Sequence, residues 1–413
     1  MAVQQATTTV RPARGAVAPA LFAATFAAQA TVFALPPMLP ALAATFGVSV
    51  GMAGQLRAVS GLVALFAPLA VVGLSRHVGI GNVILVGLFL DGGGATMALA
   101  AWSFGALVVA HAVMGAGLAI VLSSSLTASA EWAPDTGRAR LLSWTTMGMG
   151  VAAVVVTPLS GAVAMIDWRL AWLLPIAGSL VAVSAIATRP PVTRAVSVGS
   201  RASSGTLRLP GVASWCTGEF LAYAGWSVVT VYSAALFIQS YGTSPLIAGV
   251  VISASASAFL MGNRLIRPRL DAPRAPLLLL ALAMAGCGAA LGLVRSHFAV
   301  SAFLLVLLGL FNGGRSPAGS ALGLLLAPEH RLQLMAARTS AQSLGYLVGS
   351  SCGGLVLIGH GFTGLGALIG VLFGTAALPH ARALNGHRRS PHPRPYPAAT
   401  HTPHRRSHEG GQR

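Results

Sequence analysis

The sequence predicts an all-α polytopic membrane protein of twelve transmembrane helices, built as two six-helix repeats. Of its 413 residues, 55% are hydrophobic and only 8% charged, with a mean hydropathy of +0.75, whereas a soluble domain carries roughly 25% charged residues. A chain this poor in polar side chains cannot cover a water-facing surface, which excludes a soluble enzyme. Apolar runs of about 20 residues, the length that crosses a ~30 Å hydrocarbon layer as a helix, recur along most of the chain. Arginine, meanwhile, is confined almost entirely to alternate connecting segments.

The polar segment 1–16 precedes the first run and reads as a cytoplasmic N-terminus. Spans are expected near 17–36, 51–74, 82–101, 104–127, 141–165, 170–188, 212–238, 246–263, 276–294, 298–326, 333–358 and 362–379. The first run is too long for a cleaved signal and leads into Pro36-Pro37, so it is expected to stay as an anchor. β-Barrel strands are excluded, because the runs are too long and do not alternate. All 26 basic residues are arginine. With both termini in the cytoplasm, 22 of them fall on the inner side, Arg169 and Arg295 outside, and Arg57 and Arg315 within spans. The positive-inside rule therefore places both termini in the cytoplasm of the cell membrane. The formal charge of +18 is then a topology signal and implies no nucleic-acid partner.

The segment 189–211 carries four Arg, three Pro, four Ser and no acid, as a basic cytoplasmic linker would. It separates a six-helix bundle at 17–188 from another at 212–379, of 172 and 168 residues. The two blocks echo each other. Ala133-Pro134-Asp135 ends helix 4 and Ala327-Pro328-Glu329 ends helix 10. Phe22, Phe26, Gln29 and Phe33 share one face of helix 1, and Glu219, Tyr223, Trp226 and Thr230 repeat that spacing on helix 7. The tail 380–413, rich in Arg, His and Pro, reads as disordered and suited to anionic lipid.

Two six-helix blocks joined by a basic linker resemble the major facilitator superfamily, over about 17–379, and local motifs point the same way. Where the family carries G-x-x-x-D-R-x-G-R-R after helix 2, this chain keeps Gly79 and has Arg76 at the acid's position. In helix 4 the motif R-x-x-x-G-x-G is matched by Gly115 and Gly117, with His111 at the arginine position. In helix 5, Pro158 and Gly161 match the export-branch motif, while Ala153, Thr157 and Ala162 replace its glycines. The opening Ala53-Gly54-Gln55-Leu56 of helix 2 is most similar to the sugar- and drug-efflux proton antiporters. The resemblance implies the major facilitator fold, with helices 1, 4, 7 and 10 lining a central cavity.

Ionisable groups inside spans are costly and mark pathways or paired structural sites. Glu219 and Arg315, the latter beside Asn312, lie at similar depths on helices 7 and 10 and are expected to pair. The pair serves proton coupling, or it locks the C-terminal half. Asp91 on helix 3 is expected to pair with Arg57 on helix 2 as a gating or structural pair, with a proton-coupling site as its alternative. His111 is a further proton-coupling candidate or a packing residue. The aromatic stripe of helix 1 and the face of Tyr223, Trp226 and Thr230 are substrate-cavity candidates, and the aromatics beside Glu219 suggest that a cation could compete with the proton there. The three cysteines read as packing residues, and neither they nor the irregularly spaced histidines make a metal motif.

The expected function is secondary active transport: proton-coupled efflux of a small amphipathic compound by alternating access. A sugar or metabolite uniporter or symporter is the alternative. A membrane-embedded enzyme is disfavoured by the scattered acids, and a non-transporting sensor stands further off. The expected partners are a small-molecule substrate, protons and the lipid bilayer. No cofactor or metal is expected, and the protein should be a monomer.

Overall fold

The apolar runs fold as helices because nothing within them supplies a turn; the punctuation sits at their ends. The computed structural model describes residues 17–75, 78–132, 138–188, 209–327 and 330–388. The N-terminal half holds α1 (Val17–Phe46), α2 (Val50–Ser75), α3 (Ile80–Leu99), α4 (Phe104–Glu131), α5 (Arg138–Ala164) and α6 (Leu173–Ala187). The C-terminal half holds α7 (Val212–Tyr241), α8 (Pro245–Ile266), α9 (Arg274–Leu293), α10 (Phe298–Leu326), α11 (331–360) and α12 (362–388). No strand occurs among the described residues. The segment 1–16, Arg76, the helix-end motifs around Pro134 and Pro328, the linker residues 189–208 and the tail from 389 onward lie outside the described residues.

Caps explain several boundaries. Ser49 Oγ accepts a hydrogen bond from the Met52 amide at 3.1 Å where α2 begins. Ser103 Oγ accepts from the Ala106 amide at 3.1 Å at the start of α4. Ser244 does the same for Ile247 at 3.3 Å, with Pro245 in the first turn of α8, where its missing N–H costs nothing. Gly361 adopts φ 60°, ψ −161°, a region essentially closed to side-chain-bearing residues. It turns α11 into α12 with no intervening loop.

Three expected boundaries are corrected. α1 does not stop at its prolines but continues through Pro36, Pro37 and Pro40 to Phe46, since Met38, Leu39 and Leu42 are buried in the largest core cluster. The connection expected between the spans 17–36 and 51–74 shrinks accordingly to 47–49. α12 likewise passes Pro379 and runs to Arg388. Its His380 is fully buried, so the C-terminal bundle does not end at 379.

Within the N-terminal half, α4 packs between α2 and α3, and α1 lies on α5 and α6. In the C-terminal half, α7 packs against α11 and α12, and α10 lies between α8 and α9. The halves meet chiefly through α2 with α11, α5 with α8, and α1 with α7. At the first two of these contacts, backbone meets backbone at the end away from the arginine-rich segments. A Cβ on Gly51 would collide with the Gly354 carbonyl, one on Gly161 with the Pro245 carbonyl, and one on Gly249 would stand 2.7 Å from the Thr157 carbonyl. Polar bonds cross there too: Gln55 Nε2 donates to the Ser351 carbonyl at 3.1 Å and Ser253 Oγ to the Val154 carbonyl at 2.6 Å. Among the described residues no comparable packing joins α4 or α10 to the opposite half.

Candidate functional site

Glu219 and Arg315 are brought together, and with more company than the sequence suggested. Both side chains are 0% exposed, with Arg315 Nη1 3.2 Å from Glu219 Oε1. The second carboxylate oxygen, Oε2, accepts from Arg338 Nε on α11 at 2.8 Å. His380 on α12 completes the ring of neighbours, its Nε2 3.4 Å from Oε1 but not aligned as a hydrogen bond. Glu219 stands seven residues, or ~10 Å at 1.5 Å per residue, from the start of α7 at Val212.

The guanidiniums are held in turn. Arg315 Nε donates to Asn312 Oδ1 at 3.1 Å, and Arg338 Nη2 donates to the Ser316 carbonyl at 2.8 Å. With its amide oxygen turned toward the donors, Gln342 accepts from Arg338 Nη1 at 2.8 Å. Tyr223 lies under both arginines, its ring centroid 5.1 Å from Arg315 Cζ and 5.8 Å from Arg338 Cζ, with its hydroxyl 2.9 Å from Ser316 Oγ. Removing charges from water costs several kcal/mol per ion, repaid only when geometry and hydrogen bonding are near complete. Here they nearly are; Arg315 Nη2 is the one guanidinium nitrogen of the cluster left buried without a partner.

Arg338, Gln342, Tyr346 and His380 escaped the sequence reading. Arg338 lies so close to the start of its span that it was grouped with the loop arginines. The signal that finds it is a stripe of three residues at four-residue spacing, Arg338, Gln342 and Tyr346, on one face of the helix. His380 follows a proline that reads as a helix end.

The expected Asp91–Arg57 pair does not form. Asp91 is fully buried and accepts instead from Thr31 Oγ1 at 3.2 Å and Ser179 Oγ at 3.5 Å. The cause is topological: α4 packs between α2 and α3, so Asp91 faces α1 and α6. Arg57 points across to the other half, its Cζ 5.6 Å from the centroid of Tyr346.

The remaining candidates are distributed around this centre. His111 is buried, its Nδ1 2.9 Å from the Leu107 carbonyl and its ring edge-on to Trp172 at 5.3 Å. Gly115 seats the Ser60 backbone of α2 and Gly117 the Asp91 backbone of α3, which explains two glycines on one helix. Pro158 and Gly161 form part of the α5–α8 contact, and Gly79 caps α3. Phe22 stacks on Phe26 at 6.2 Å and meets Trp144 edge-on at 6.1 Å. Phe33 packs on the main core, and Gln29 is half-buried. Trp226 stacks on Phe259 at 6.5 Å, and Thr230 Oγ1 bonds back to its own helix. Among the described residues, no hydrogen bond or ring contact joins the helix 1 stripe to the Glu219 cluster, and no three His, Cys, Asp or Glu side chains converge as a metal site.

One substitution reports on the packing around the acid. A Cβ on Gly319 would collide with Glu219 Oε1, and the arginines that pin the carboxylate, one on each oxygen, keep it from swinging away. Gly319→Ala is expected to cost about 1–3 kcal/mol, the range for overpacking a filled core. Gly286→Ala, where a Cβ meets nothing within 4 Å, should be neutral or stabilising. Thermal unfolding of the purified variants compares them, and equal midpoints would mean that the acid is free to move.

Two six-helix halves, sealed at one end around a membrane-depth polar site, define a polytopic membrane carrier. The Major Facilitator Superfamily model matches residues 21–215 and again 215–408; the chain belongs to that family and is a transporter, not an enzyme. Among solved structures it is similar to a D-xylose-proton symporter (TM-score 0.70, 18% identity, 88% of this chain and 95% of that one). It is also similar to the nucleoside transporter NupG (TM-score 0.73, 14% identity, 89% and 99%). A third likeness is to a bacterial homologue of the human lysosomal transporter Spinster in an inward-facing, occupied conformation (TM-score 0.69, 16% identity, 91% and 97%). At these identities the likeness is one of fold. No curated protein matches.

Proposed function

We propose that the protein is a proton-coupled exporter of a small amphipathic compound, working by alternating access in the cell membrane with both termini in the cytoplasm. The observation that supports this most is the buried Glu219 carboxylate, salt-bridged by Arg315 and Arg338 within the half that faces the central space. A carboxylate whose arginines withdraw becomes a lone buried charge, and taking up a proton removes that cost. Such a group exchanges protons when its partners move, as coupling requires. The aromatic lining from Tyr223 and Trp226 suits a compound with an apolar body. The sugar and metabolite symporter reading shares this machinery and differs in direction; the xylose-proton symporter among its structural neighbours keeps it in view.

The test is transport in proteoliposomes under an imposed proton gradient. Export coupling predicts that substrate accumulates on the side opposite to proton entry, whereas same-side movement would establish symport. Orientation is checked in cells. Ser240→Cys, exposed at the end of α7, should react with an impermeant thiol reagent from outside, and Ser203→Cys in the linker should not. The opposite labelling pattern would invert the assignment.

A further inference from the structure

Of the described side chains that touch the Glu219 carboxylate, His380 alone makes no hydrogen bond. It is fully buried, with Nε2 3.4 Å from Glu219 Oε1, and both its ring nitrogens are buried without a partner. Two features of the backbone bring it there. α12 runs on past Pro379, and Gly218 on α7 leaves room for the ring, since a Cβ at that position would stand 2.6 Å from His380 Nε2.

The charges around the ring decide its state. Glu219 on α7 supplies one negative charge, and Arg315 on α10 and Arg338 on α11 supply two positive ones, so one positive charge is already in excess. Farther out lie Cys216, one turn before Glu219 on α7, and Arg382, two residues on in α12. α9 brings the apolar Leu277 into one cluster with Ala383, with Arg274 a turn earlier. A proton on His380 would add a second excess charge to a site closed to water, so the ring is neutral while both arginines are in place. Its hydrogen then sits on Nε2, because a lone pair turned on the carboxylate would be repelled, and Nδ1 keeps the free lone pair. Once Arg338 leaves, the excess charge is gone and Oε2 has lost its donor, while Arg315 still holds Oε1.

We propose that His380 is the proton acceptor of the Glu219 cluster: when Arg338 withdraws, hydronium in the entering water gives a proton to His380 Nδ1, and the imidazolium takes the arginine's place beside the carboxylate. One cation replaces another, and the carboxylate stays ionised throughout. The only bond made is the new N–H, and the returning Arg338 drives that proton back to water. Withdrawal of both arginines would put the proton on the carboxylate; withdrawal of Arg338 alone puts it on the ring. That this exchange drives transport rests on the coupling reading, whereas the exchange itself needs neither gradient nor substrate.

The purified full-length protein tests this, with Arg338→Met standing for the withdrawn arginine. Thermal unfolding is followed from about pH 8 to about pH 5.5, across the range where imidazoles titrate. A group that binds its proton more tightly in the folded protein than in the unfolded chain raises stability as pH falls. The midpoint of Arg338→Met is therefore expected to rise by about 2 °C or more over this range relative to the native protein, and adding His380→Gln should remove the rise. Arg338→Lys, which keeps a charge beside Glu219, should show little of it. Should Arg338→Met not fold, Arg338→Gln takes its place. Carbon NMR of histidine labelled at Cε1 reads the same event directly: the resonance missing from His380→Gln should titrate in Arg338→Met and not in the native protein. The proposal is overturned if the midpoint does not rise, or if the rise survives His380→Gln. A rise that survives His380→Gln and disappears with Glu219→Gln would put the proton on the carboxylate and leave proton coupling standing without the histidine. Conversely, a His380 that titrates as expected in a protein no gradient drives would uphold the exchange and remove the coupling reading.

Discussion

Glu219→Gln is expected to abolish proton-driven accumulation of substrate while leaving exchange down a gradient partly intact, and to lower stability by about 3–5 kcal/mol, the cost of breaking a buried ion pair from one side. The amide matches the shape of the carboxylate but leaves Arg315 and Arg338 as two buried cations with no anion between them. The stability loss alone would not identify a coupling site. The discriminating pair is Glu219→Gln with Arg315→Met added. Removing Arg315's charge as well should recover part of the lost stability, because only Arg338 then stays unpaired, yet proton-driven transport should stay absent. Unfolding midpoints and gradient-driven flux in proteoliposomes read the two effects separately. If Glu219→Gln still transports with an unchanged pH profile, the cluster is a structural lock, and His111 and Asp91 become the remaining titratable candidates.

A comparable effect is expected from Gly51→Val. The backbones of α2 and α11 are in contact there: a Cβ on Gly51 would collide with the Gly354 carbonyl and stand 2.7 Å from Ile358 Cγ1. A branched side chain holds the two helices apart at the end where the halves are sealed. The halves should then favour the conformation open on that side, and turnover should fall by tenfold or more, which corresponds to about 1.4 kcal/mol of bias between states. The check is thiol labelling from outside at Ser351→Cys, whose carbonyl now accepts from Gln55. Labelling should rise in the Gly51→Val background. Full transport activity with unchanged labelling would show that the contact is not a gate.

The architecture was legible because each membrane helix announces itself in about twenty consecutive residues, and arginine placement orders them. The Glu219–Arg315 contact was legible for a related reason, since charges inside apolar runs are few and seek partners. What failed depended on contacts that sequence order does not reveal. Asp91 and Arg57 sit on consecutive helices, yet α4 separates those helices in space. Arg338 looked like a loop arginine because its distance from the span edge is short, and a long side chain reaching back to Glu219 leaves no trace in a hydropathy profile. Pro36, Pro37 and Pro379 read as helix ends, whereas burial of Met38, Leu39 and His380 carries the helices past them. One repeat signal was also overlooked. Gly47 and Ser49 between α1 and α2 recur as Gly242 and Ser244 between α7 and α8, with φ near +63° at both glycines and both serines capping the next helix.

The way α11 lies on α7 carries a mechanical consequence. Gly345 and Gly349 rest directly on α7 backbone, against the Phe220 and Ala224 carbonyls, with no interlocking side chains at those two points. A helix seated this way can swivel on its neighbour as a beam does on a fulcrum. Arg338 lies eleven residues from Gly349, a lever arm of ~16 Å at 1.5 Å per residue. A swivel of about 10° would carry its guanidinium roughly 3 Å, on the scale of known interhelical shifts and as long as the 2.8 Å bond it makes to Glu219. The other arm of the same beam ends at Gly354, in the seal against α2. Tilting one rod would thus unlatch the gate at one end and release the carboxylate at the other.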